Sequence, residues 1–208
     1  MKKVVIVDYS IGNILSVKRA FEHCDADVIL TSDEKDILAA DRLVVPGVGA
    51  FNNCVSALES SNLKNAVVEF TKTQRPYLGI CVGMQMMLDE SEEFGKHKGL
   101  GFIEGNVTKI GGDSQQANKL KVPFVGWKPL HIINDTPLLK GLNPEDCFYF
   151  VHSYQAHPSS QDNVLANYKY NELNITAAVG KGNMYGTQFH PEKSGDAGLQ
   201  VIKNFLEL

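Results

Sequence analysis

The sequence has no apolar run approaching the roughly 20 residues that a membrane-spanning helix needs. Its amino terminus superficially resembles a signal peptide, because Met1-Lys2-Lys3 precedes the apolar run 4–7. Asp8 ends that run after four residues, which is too short for a secretory core. We therefore expect 4–7 to form a first β-strand, and the protein to be cytoplasmic, without a leader or membrane contact.

Positive charge is also scarce. The 208 residues include 20 Lys and Arg against 24 Asp and Glu, which gives a net charge of −4 and a pI near 5.9. The basic residues are scattered and form no stripe. Because binding of nucleic-acid phosphates usually requires clustered Lys and Arg, we expect no nucleic-acid partner.

Cysteine is sparse, and its four positions are not closely paired: Cys24, Cys54, Cys81 and Cys147. A chain of this length that is 43% hydrophobic can bury a large core without disulfide bonds, so the thiols indicate a reducing cytosol. We expect three of the four to be packing residues.

Metal-ligand spacing is absent as well. Cys81 and the histidines show none of the paired spacings typical of structural or catalytic metal sites. A zinc deaminase also uses a His-x-Glu sequence, present here at 190–192, but no Pro-Cys-x-x-Cys follows it. We expect neither a metal nor another cofactor.

The apolar pattern predicts an α/β fold in one domain, residues 1–208. Apolar runs at 3–7, 27–31, 42–45 and 76–80 alternate mostly with segments of helical period, which predicts parallel strands. Helices are expected at 12–23, 51–63 and 84–90. After Gly99, shorter runs predict antiparallel strands at 102–110, 121–125, 147–151, 164–168 and 176–179, then a last strand, 185–189, and a closing helix, 197–208.

The expected architecture is thus a mixed, largely parallel central sheet flanked by helices, with extra antiparallel strands in the second half. The polar, glycine-rich segment 111–116 is the best candidate for a mobile loop.

The segment Gly79-Ile80-Cys81-Val82-Gly83 lies between a predicted strand and a predicted helix, so Cys81 would occupy the tip of a sharp turn. Hydrolases with a Gly-x-Ser-x-Gly elbow hold their nucleophile this way, with the next backbone amide free to bind an oxyanion. The alternative is a buried cysteine beside two packing glycines. The motif alone does not decide between them.

A cysteine nucleophile needs a base, and the base needs an orienting partner. His190-Pro191-Glu192 supplies an imidazole and a carboxylate at the end of a predicted strand. If the extended backbone continues past Pro191, residues two apart share a face and Glu192 lies beside His190. The alternative is a surface histidine that caps the strand.

Pro46-Gly47-Val48-Gly49-Ala50-Phe51 joins a predicted strand to a predicted helix. Its two glycines can expose backbone N–H groups to an oxyanion or a phosphate. A tight strand-to-helix turn explains the same glycines. The segment is neither a Walker loop nor a complete dinucleotide fingerprint.

With two further segments, these motifs resemble class I, triad-type glutamine amidotransferases along essentially the whole chain. More narrowly, they are similar to the glutaminase subunits of imidazole glycerol phosphate synthase. The resemblance implies a flavodoxin-like amidotransferase fold. The five matching segments are 8–13, 46–51, 78–85, 148–154 and 188–195.

The resemblance also implies a mechanism. Cys81 attacks the carboxamide carbon of glutamine, His190 transfers the proton, and Glu192 orients the imidazole; ammonia leaves, and water releases glutamate from a thioester. The residues implied for the oxyanion are Gly47, Val48, Gly49 and Val82, and those implied for glutamine are Gln85, Glu93, Ser153 and Tyr154. For Glu93 the alternative is a solvated charge within a charge run.

A partner is implied too. A (β/α)8-barrel cyclase subunit would form a heterodimer with this chain and use its ammonia in histidine biosynthesis. The matching interface positions are Asn13, Trp127, Tyr149 and Lys193, although Trp127 and Tyr149 are alternatively core aromatics. Low activity is expected without the partner, because a turn with two glycines adopts more than one backbone state.

One departure concerns this partner. The family usually has Pro-His-Met-Gly-Trp-Asn where this chain has Pro-Phe-Val-Gly-Trp-Lys at 123–128. Phe124 and Lys128 therefore leave open a paralogous role, in which the ammonia feeds a sugar amidotransferase of surface-glycan biosynthesis. A non-catalytic scaffold is a further alternative, which an intact triad argues against. The last alternative is that the protein is a hydrolase or protease with the same elbow, and Gln85 argues against this alternative.

Overall fold

The computed structural model describes residues 2–112 and 120–208. The strands are β1 (Lys2–Val7), β2 (Ala26–Thr31), β3 (Leu43–Gly47), β4 (Tyr77–Cys81), β5 (Glu90–Ser91), β6 (His97–Lys98), β7 (Gly105–Lys109), β8 (Phe124–Pro129), β9 (His131–Ile132), β10 (Cys147–His152), β11 (Tyr154–Pro158), β12 (Val164–Tyr170), β13 (Leu173–Lys181) and β14 (Met184–Thr187). The α-helices are α1 (Ile14–His23), α2 (Glu34–Ala39), α3 (Phe51–Ser60), α4 (Leu63–Thr71), α5 (Val82–Gln85) and α6 (Gly195–Leu206).

The largest sheet has eight strands in the order β2-β1-β3-β4-β14-β13-β12-β9. Its first five strands are parallel to one another, whereas β13, β12 and β9 pair antiparallel with their neighbours. Parallel strands need crossover connections, which the helices of the first half supply. The predicted α/β class, with a mixed sheet and antiparallel strands in the second half, is confirmed.

Two smaller sheets complete the fold. One has four strands in the order β11-β7-β5-β6, and the other is the antiparallel pair of β8 and β10, called the β8–β10 ribbon below. Side chains alternate between the two faces of the ribbon. Phe124 and Phe150 are buried on its inner face, whereas Val125 and Trp127 are exposed on the outer one.

The core lies on both sides of the central sheet. All four residues of 4–7 are fully buried, as expected for a strand that is covered on both faces. The helices α1 and α6 pack against each other through an edge-to-face contact of Phe21 with Phe205, whose ring centroids are 6.1 Å apart. Such a pair contributes about 0.5–1.5 kcal/mol beyond its buried area.

Two predicted helices are wrong in extent. The predicted helix 51–63 ends three residues early, as α3, because Asn62 has a left-handed φ of 61°; the helix that follows it, α4, was not predicted. The predicted helix 84–90 is reduced to α5. The reason is a tertiary contact: the carbonyls of 86–88 accept hydrogen bonds from the amides of 100–103 and are not available to amides of a further helical turn.

The candidate mobile loop 111–116 lies outside the described residues from 113 onward. All four cysteines are described and are free thiols; Cys54 is buried and Cys24 half-buried, but Cys147 is exposed and is not a packing residue. Within the two described ranges, no helix is long and apolar enough to cross a membrane. The same residues contain no cluster of three or more His, Cys, Asp or Glu side chains placed to hold a metal ion.

Candidate active site

Cys81 is the last residue of β4, and α5 begins at the next residue. Its φ of 57° and ψ of −113° are strained values for a residue with a side chain. The flanking glycines are required by close packing. A Cβ on Gly83 would lie 1.9 Å from the Val45 carbonyl oxygen, and one on Gly79 would lie 2.5 Å from the Gly83 oxygen. The turn therefore has the geometry of a nucleophile elbow, with its backbone strain at the cysteine itself.

His190 and Glu192 are paired, although by a different backbone path from the one predicted. The strand β14 ends at Thr187, and Pro191–Lys193 form a single 3₁₀ turn, which proline at its first position favours. The expectation of a continuing strand is wrong. The turn still places Nδ1 of His190 2.8 Å from Oε1 of Glu192, with both side chains almost completely buried.

Three hydrogen bonds fix the backbone of His190 against β10. Its amide donates to the Tyr149 carbonyl at 3.0 Å. The Ser194 hydroxyl donates to the His190 carbonyl at 2.6 Å and accepts from the Tyr149 amide at 3.0 Å. Ser194 belongs to the last matching sequence segment, but sequence reasoning assigned it no role. It connects the histidine to the ribbon.

The pKa of His190 results from opposing effects. Burial lowers it, but contact with the Cys81 sulfur and the Glu192 carboxylate outweighs burial and raises the pKa to about 10. Among the described residues, Nε2 of His190 and Oε2 of Glu192 have no hydrogen-bond partner. The imidazole is thus held through one nitrogen, and the other is left for Cys81 and a ligand.

A cavity of about 260 Å³ opens beside these groups. It is lined by Cys81 and His190, and it also includes most of the positions implied for the oxyanion and all of those implied for glutamine. Gly47 is the exception, because it lies beneath the cavity at the end of β3, opposite Cys81. The binding candidates in the lining are Val48, Gly49, Val82, Gln85, Glu93, Ser153 and Tyr154.

The turn implied for the oxyanion, residues 46–49 and called the oxyanion turn below, is held by two side chains on the side away from the cavity. The Tyr9 hydroxyl donates to the Pro46 carbonyl, and the Cys54 thiol donates to the Val48 carbonyl at 3.3 Å. Gly49 has a φ of 85°, which a residue with a side chain rarely adopts. On the other side of the cavity, Val82 starts α5, where amides lack helical acceptors.

Glu93 is not a solvated charge. Its carboxylate is half-buried and accepts a hydrogen bond from the Phe51 amide at 2.6 Å. Phe51 is the first residue of α3, and the preceding Ala50 has no side chain that can cap the helix. Glu93 supplies that cap from a distant loop, so it connects the substrate side of the cavity to the helix after the oxyanion turn.

The amide of Gln85 is already engaged within the protein. Its Nε2 donates to the Tyr154 carbonyl at 3.1 Å and to Oε1 of Gln188 at 2.8 Å. Gln188 is fully buried, and its own Nε2 lies 3.7 Å from the Cys81 sulfur. Sequence reasoning missed Gln188, because nothing in its local sequence signals a contact with residues more than 100 positions away.

Trp127 is not a core aromatic. It is 52% exposed on the outer face of the ribbon, opposite Tyr149, and the two ring centroids are 5.6 Å apart. The ammonium of Lys193 lies 5.7 Å from the centre of the half-buried Tyr149 ring. Val125 adds a further exposed apolar side chain to this face, and Asn13 is exposed just before α1.

Phe124 and Lys128, two of the three positions that depart from the family pattern, lie on the other face of the ribbon. Phe124 is 9% exposed and packs against His152, Tyr168 and Tyr170. The ammonium of Lys128 lies 6.0 Å from the centre of the Phe124 ring. Phe124 and Lys128 therefore change the inner face of the ribbon, whereas Val125, the third departure, is exposed on the outer face.

Comparison with known proteins agrees with this geometry. The family model described as "Glutamine amidotransferase class-I" matches residues 5–208. The chain is 43% identical over 213 residues to imidazole glycerol phosphate synthase subunit HisH 1 of Legionella pneumophila (strain Lens), and 41% identical over 210 residues to subunit HisH of Methanosarcina acetivorans. Each alignment covers 100% of both chains.

Solved structures share the fold at lower identity. The structure of PurLQS from Thermotoga maritima aligns with a TM-score of 0.73 at 17% identity, covering 99% of this chain and 98% of that one. A crystal structure described as a glutamine amidotransferase aligns with a TM-score of 0.71 at 17% identity, covering 98% of this chain and 99% of that one.

The chain belongs to the class I glutamine amidotransferase family and is a glutamine amidotransferase enzyme. Within that family it is HisH-like, because its full-length relatives at 43% and 41% identity carry the name imidazole glycerol phosphate synthase subunit HisH.

Proposed function

We propose that this protein is the glutaminase subunit of an imidazole glycerol phosphate synthase, acting in the cytoplasm as one domain, residues 1–208. It hydrolyses L-glutamine and passes the ammonia to a cyclase subunit in histidine biosynthesis. The observation that carries the proposal is the cavity in which the elbow residue Cys81 meets the buried His190 and Glu192 pair.

In the proposed reaction, the Cys81 sulfur forms a bond to the carboxamide carbon of glutamine. His190 transfers a proton to the departing nitrogen, the carbon–nitrogen bond breaks, and ammonia leaves a glutamyl thioester. Water then attacks the thioester while His190 takes its proton, and glutamate leaves as the carbon–sulfur bond breaks. Glu192 holds the imidazole in place through Nδ1, 2.8 Å away.

Both tetrahedral intermediates carry an oxyanion. The amide of Val82 and one amide of 47–49 are its proposed donors, and losing one such donor typically raises the barrier by about 3 kcal/mol. Gln85, Glu93, Ser153 and Tyr154 are the proposed glutamine-binding residues, since all four line the same cavity. Low activity of the free subunit is part of the proposal, because the glycine-rich turn needs its partner to select one backbone state.

The proposed partner is a (β/α)8-barrel cyclase, docked on the outer face of the β8–β10 ribbon. An exposed tryptophan that contacts a half-buried tyrosine beside a cation, as in Trp127, Tyr149 and Lys193, is typical of a protein interface. Asn13 is a further proposed contact. A sugar amidotransferase partner receives no support from Phe124, because that side chain faces inward.

Glutamate release from glutamine tests the proposal. The purified chain is assayed with and without the cyclase and its ribotide ligand, together with Cys81→Ala. Cys24→Ala serves as the matched control, because Cys24 contacts the Leu199 carbonyl and does not line the cavity.

We expect activity that rises when the cyclase is added, falls at least about a thousandfold in Cys81→Ala and persists in Cys24→Ala. Activity that needs Cys81 but does not change when the cyclase is added would support the glutaminase reaction and contradict the cyclase as the partner. Strong turnover by the free chain would contradict partner-dependent activation. If the complex has no glutaminase activity, the proposed function is contradicted and the non-catalytic scaffold is favoured.

A further inference from the structure

Gln188 is a fully buried polar residue with no assigned role, placed between β14 and His190. Its backbone amide donates to the Ala177 carbonyl at 2.8 Å, so its main chain stays attached to β13. Its side chain points the other way, toward the elbow, where Nε2 lies 3.7 Å from the Cys81 sulfur. A buried amide in direct contact with a nucleophile is positioned to influence that nucleophile.

The orientation of this amide is determined by its neighbour. The Tyr154 carbonyl can only accept, so the group of Gln85 that contacts it at 3.1 Å must be the NH₂. The same NH₂ donates to Gln188 at 2.8 Å, which requires the carbonyl oxygen of Gln188 on that side. The NH₂ of Gln188 is therefore directed at Cys81, and a flipped amide would lose both contacts.

The far end of this chain of bonds is anchored by an imidazole. Nδ1 of His152 lies 2.7 Å from the Tyr154 carbonyl and therefore carries the hydrogen, while Nε2 lies 2.9 Å from the Tyr168 hydroxyl. Burial lowers the pKa of His152 to about 4, so the ring is neutral near pH 7 and Tyr168 is the donor. Phe124 packs edge-on against His152 and beside Tyr168, which closes this end from water.

We propose that Gln188 is a positioning residue for Cys81, and that a continuous relay of hydrogen bonds through Gln85, the Tyr154 carbonyl, His152 and Tyr168 holds its N–H donor at the sulfur. Along the relay, from the Tyr168 hydroxyl to the Gln188 amide, each participating side-chain nitrogen and oxygen atom has a hydrogen-bond partner. The relay limits where the sulfur can lie in the strained elbow and offers the sulfur a hydrogen-bond donor. The inference rests on the proposed glutaminase function.

Gln188→Glu separates the sulfur contact from the rest of the relay. The introduced carboxylate still accepts from Gln85, so glutamine binding is retained, but an acceptor replaces the donor at the sulfur. We expect kcat to fall about 10-fold or more, with KM for glutamine changed less than about 3-fold. Alkylation of Cys81 by iodoacetamide, followed peptide by peptide with mass spectrometry, should slow to a similar extent.

Two further variants change other parts of the relay and should reduce activity or alkylation to different extents. Gln188→Met has a similar size and no hydrogen bonds, and it should also slow alkylation even if the charged variant fails to fold. Tyr168→Phe removes only the distal hydroxyl and should reduce kcat by about 2- to 3-fold. The matched control is Thr187→Val, since Thr187 is equally buried and its hydroxyl has no partner within the described chain.

Alkylation and kcat within 2-fold of wild type in both Gln188 variants would overturn the inference. So would a raised KM with unchanged alkylation, because that result assigns Gln188 to substrate binding. An equal loss in Thr187→Val would reduce the role to packing. If the wild-type complex releases no glutamate, the proposed function fails, while the alkylation rates still test the relay by themselves.

Discussion

Two regions bring the reacting groups together, and they do so by different physical means. The elbow region consists of β3, β4 and α5 and carries Cys81. The ribbon region consists of β8, β10 and residues 188–194 and carries His190 and Glu192. The first is positioned by close contact of backbone atoms, and the second by hydrogen bonds and aromatic packing of side chains.

In the elbow region almost no space is left for a side chain. Backbone atoms of Gly83 and Val45 approach so closely that even a methyl group would overlap a carbonyl oxygen. Such contacts cannot relax, because backbone on both sides belongs to the central sheet and the helix after it. The strained φ of Cys81 persists for this reason.

In the ribbon region the backbone is held by side chains, which a substitution can replace. Ser194 connects the carbonyl of His190 with the amide of Tyr149, and Glu192 holds the ring. Around them, Phe148 and Phe150 pack against Phe189 at centroid distances of 4.5 and 5.8 Å. The comparison indicates that the elbow tolerates no change of shape, while the ribbon region is open to variation.

The largest effect is expected for Gly83→Ala. The new Cβ would lie 1.9 Å from the Val45 oxygen, and no flexible side chain can move to relieve it. We expect a loss of at least about 3 kcal/mol in the free energy of unfolding, measured by chemical denaturation. Gly141→Ala is the control, since Gly141 has a φ of 77° with no atom near its Cβ and should cost only about 1 kcal/mol. Similar losses in the two variants would contradict the account of the elbow.

Glu192→Gln tests the side-chain region by removing the charge beside His190. Because the pKa of His190 is raised, its contribution to stability is complete below about pH 6.5 and is lost as the pH rises through about 10. Loss of the carboxylate reduces that contribution, so the free energy of unfolding of the variant should decline less across this interval than that of the wild type. We also expect kcat to fall about 100-fold or more.

Denaturation at a series of pH values and glutamate release measure the two effects of Glu192→Gln separately. Stability curves that run parallel for variant and wild type would show that the carboxylate does not hold the imidazole in its charged form.

Trp127→Ala addresses the outer face of the ribbon. Trp127 is 52% exposed, so its removal should leave the melting temperature almost unchanged, whereas the Kd for the cyclase should rise about 10- to 100-fold. Titration calorimetry provides the Kd. The control is Phe94→Ala, because Phe94 is an even more exposed aromatic that lies outside the ribbon. Equal affinity of wild type and Trp127→Ala would place the interface elsewhere.

The smallest effect on partner binding is expected for Phe124→His, which introduces the residue usual in the family. Phe124 faces inward, so the Kd for the cyclase should change less than about 2-fold. Stability should fall by about 1 kcal/mol, because the new imidazole is buried among aromatic rings. A large change in Kd would mean that the inner face of the ribbon communicates with the partner.

The fold could be predicted to a useful degree from local patterns. Continuous apolar runs predicted the strands of the parallel half, because strands covered on both faces have no polar positions. The extent of α5 could not be predicted, since it is the segment 100–103 that takes the carbonyls needed for further helical turns. The end of α3 at Ser60 and the helix α4 after it were also missed, because a left-handed residue such as Asn62 between two helices hardly changes the apolar periodicity.

The candidate site was predictable where its chemistry is local. The elbow motif and the His-x-Glu motif each span five residues or fewer. Spacing alone therefore predicted a cysteine at a sharp turn and an imidazole beside a carboxylate. The supporting contacts are not local. Glu93 and Phe51 are 42 residues apart, Gln85 and Tyr154 are 69 apart, and Gln85 and Gln188 are 103 apart.

The sequence by itself determined the α/β class and the family and predicted the candidate site residues, because strand patterns and short motifs are properties of neighbouring residues. Only the tertiary structure decided which face of the ribbon Trp127 and Phe124 occupy, how Glu93 is used and how the Gln188 amide is oriented. All of them depend on contacts between distant segments: Phe124 faces inward because it packs against aromatic rings there, whereas Glu93 and Gln188 are fixed because buried polar groups must find partners.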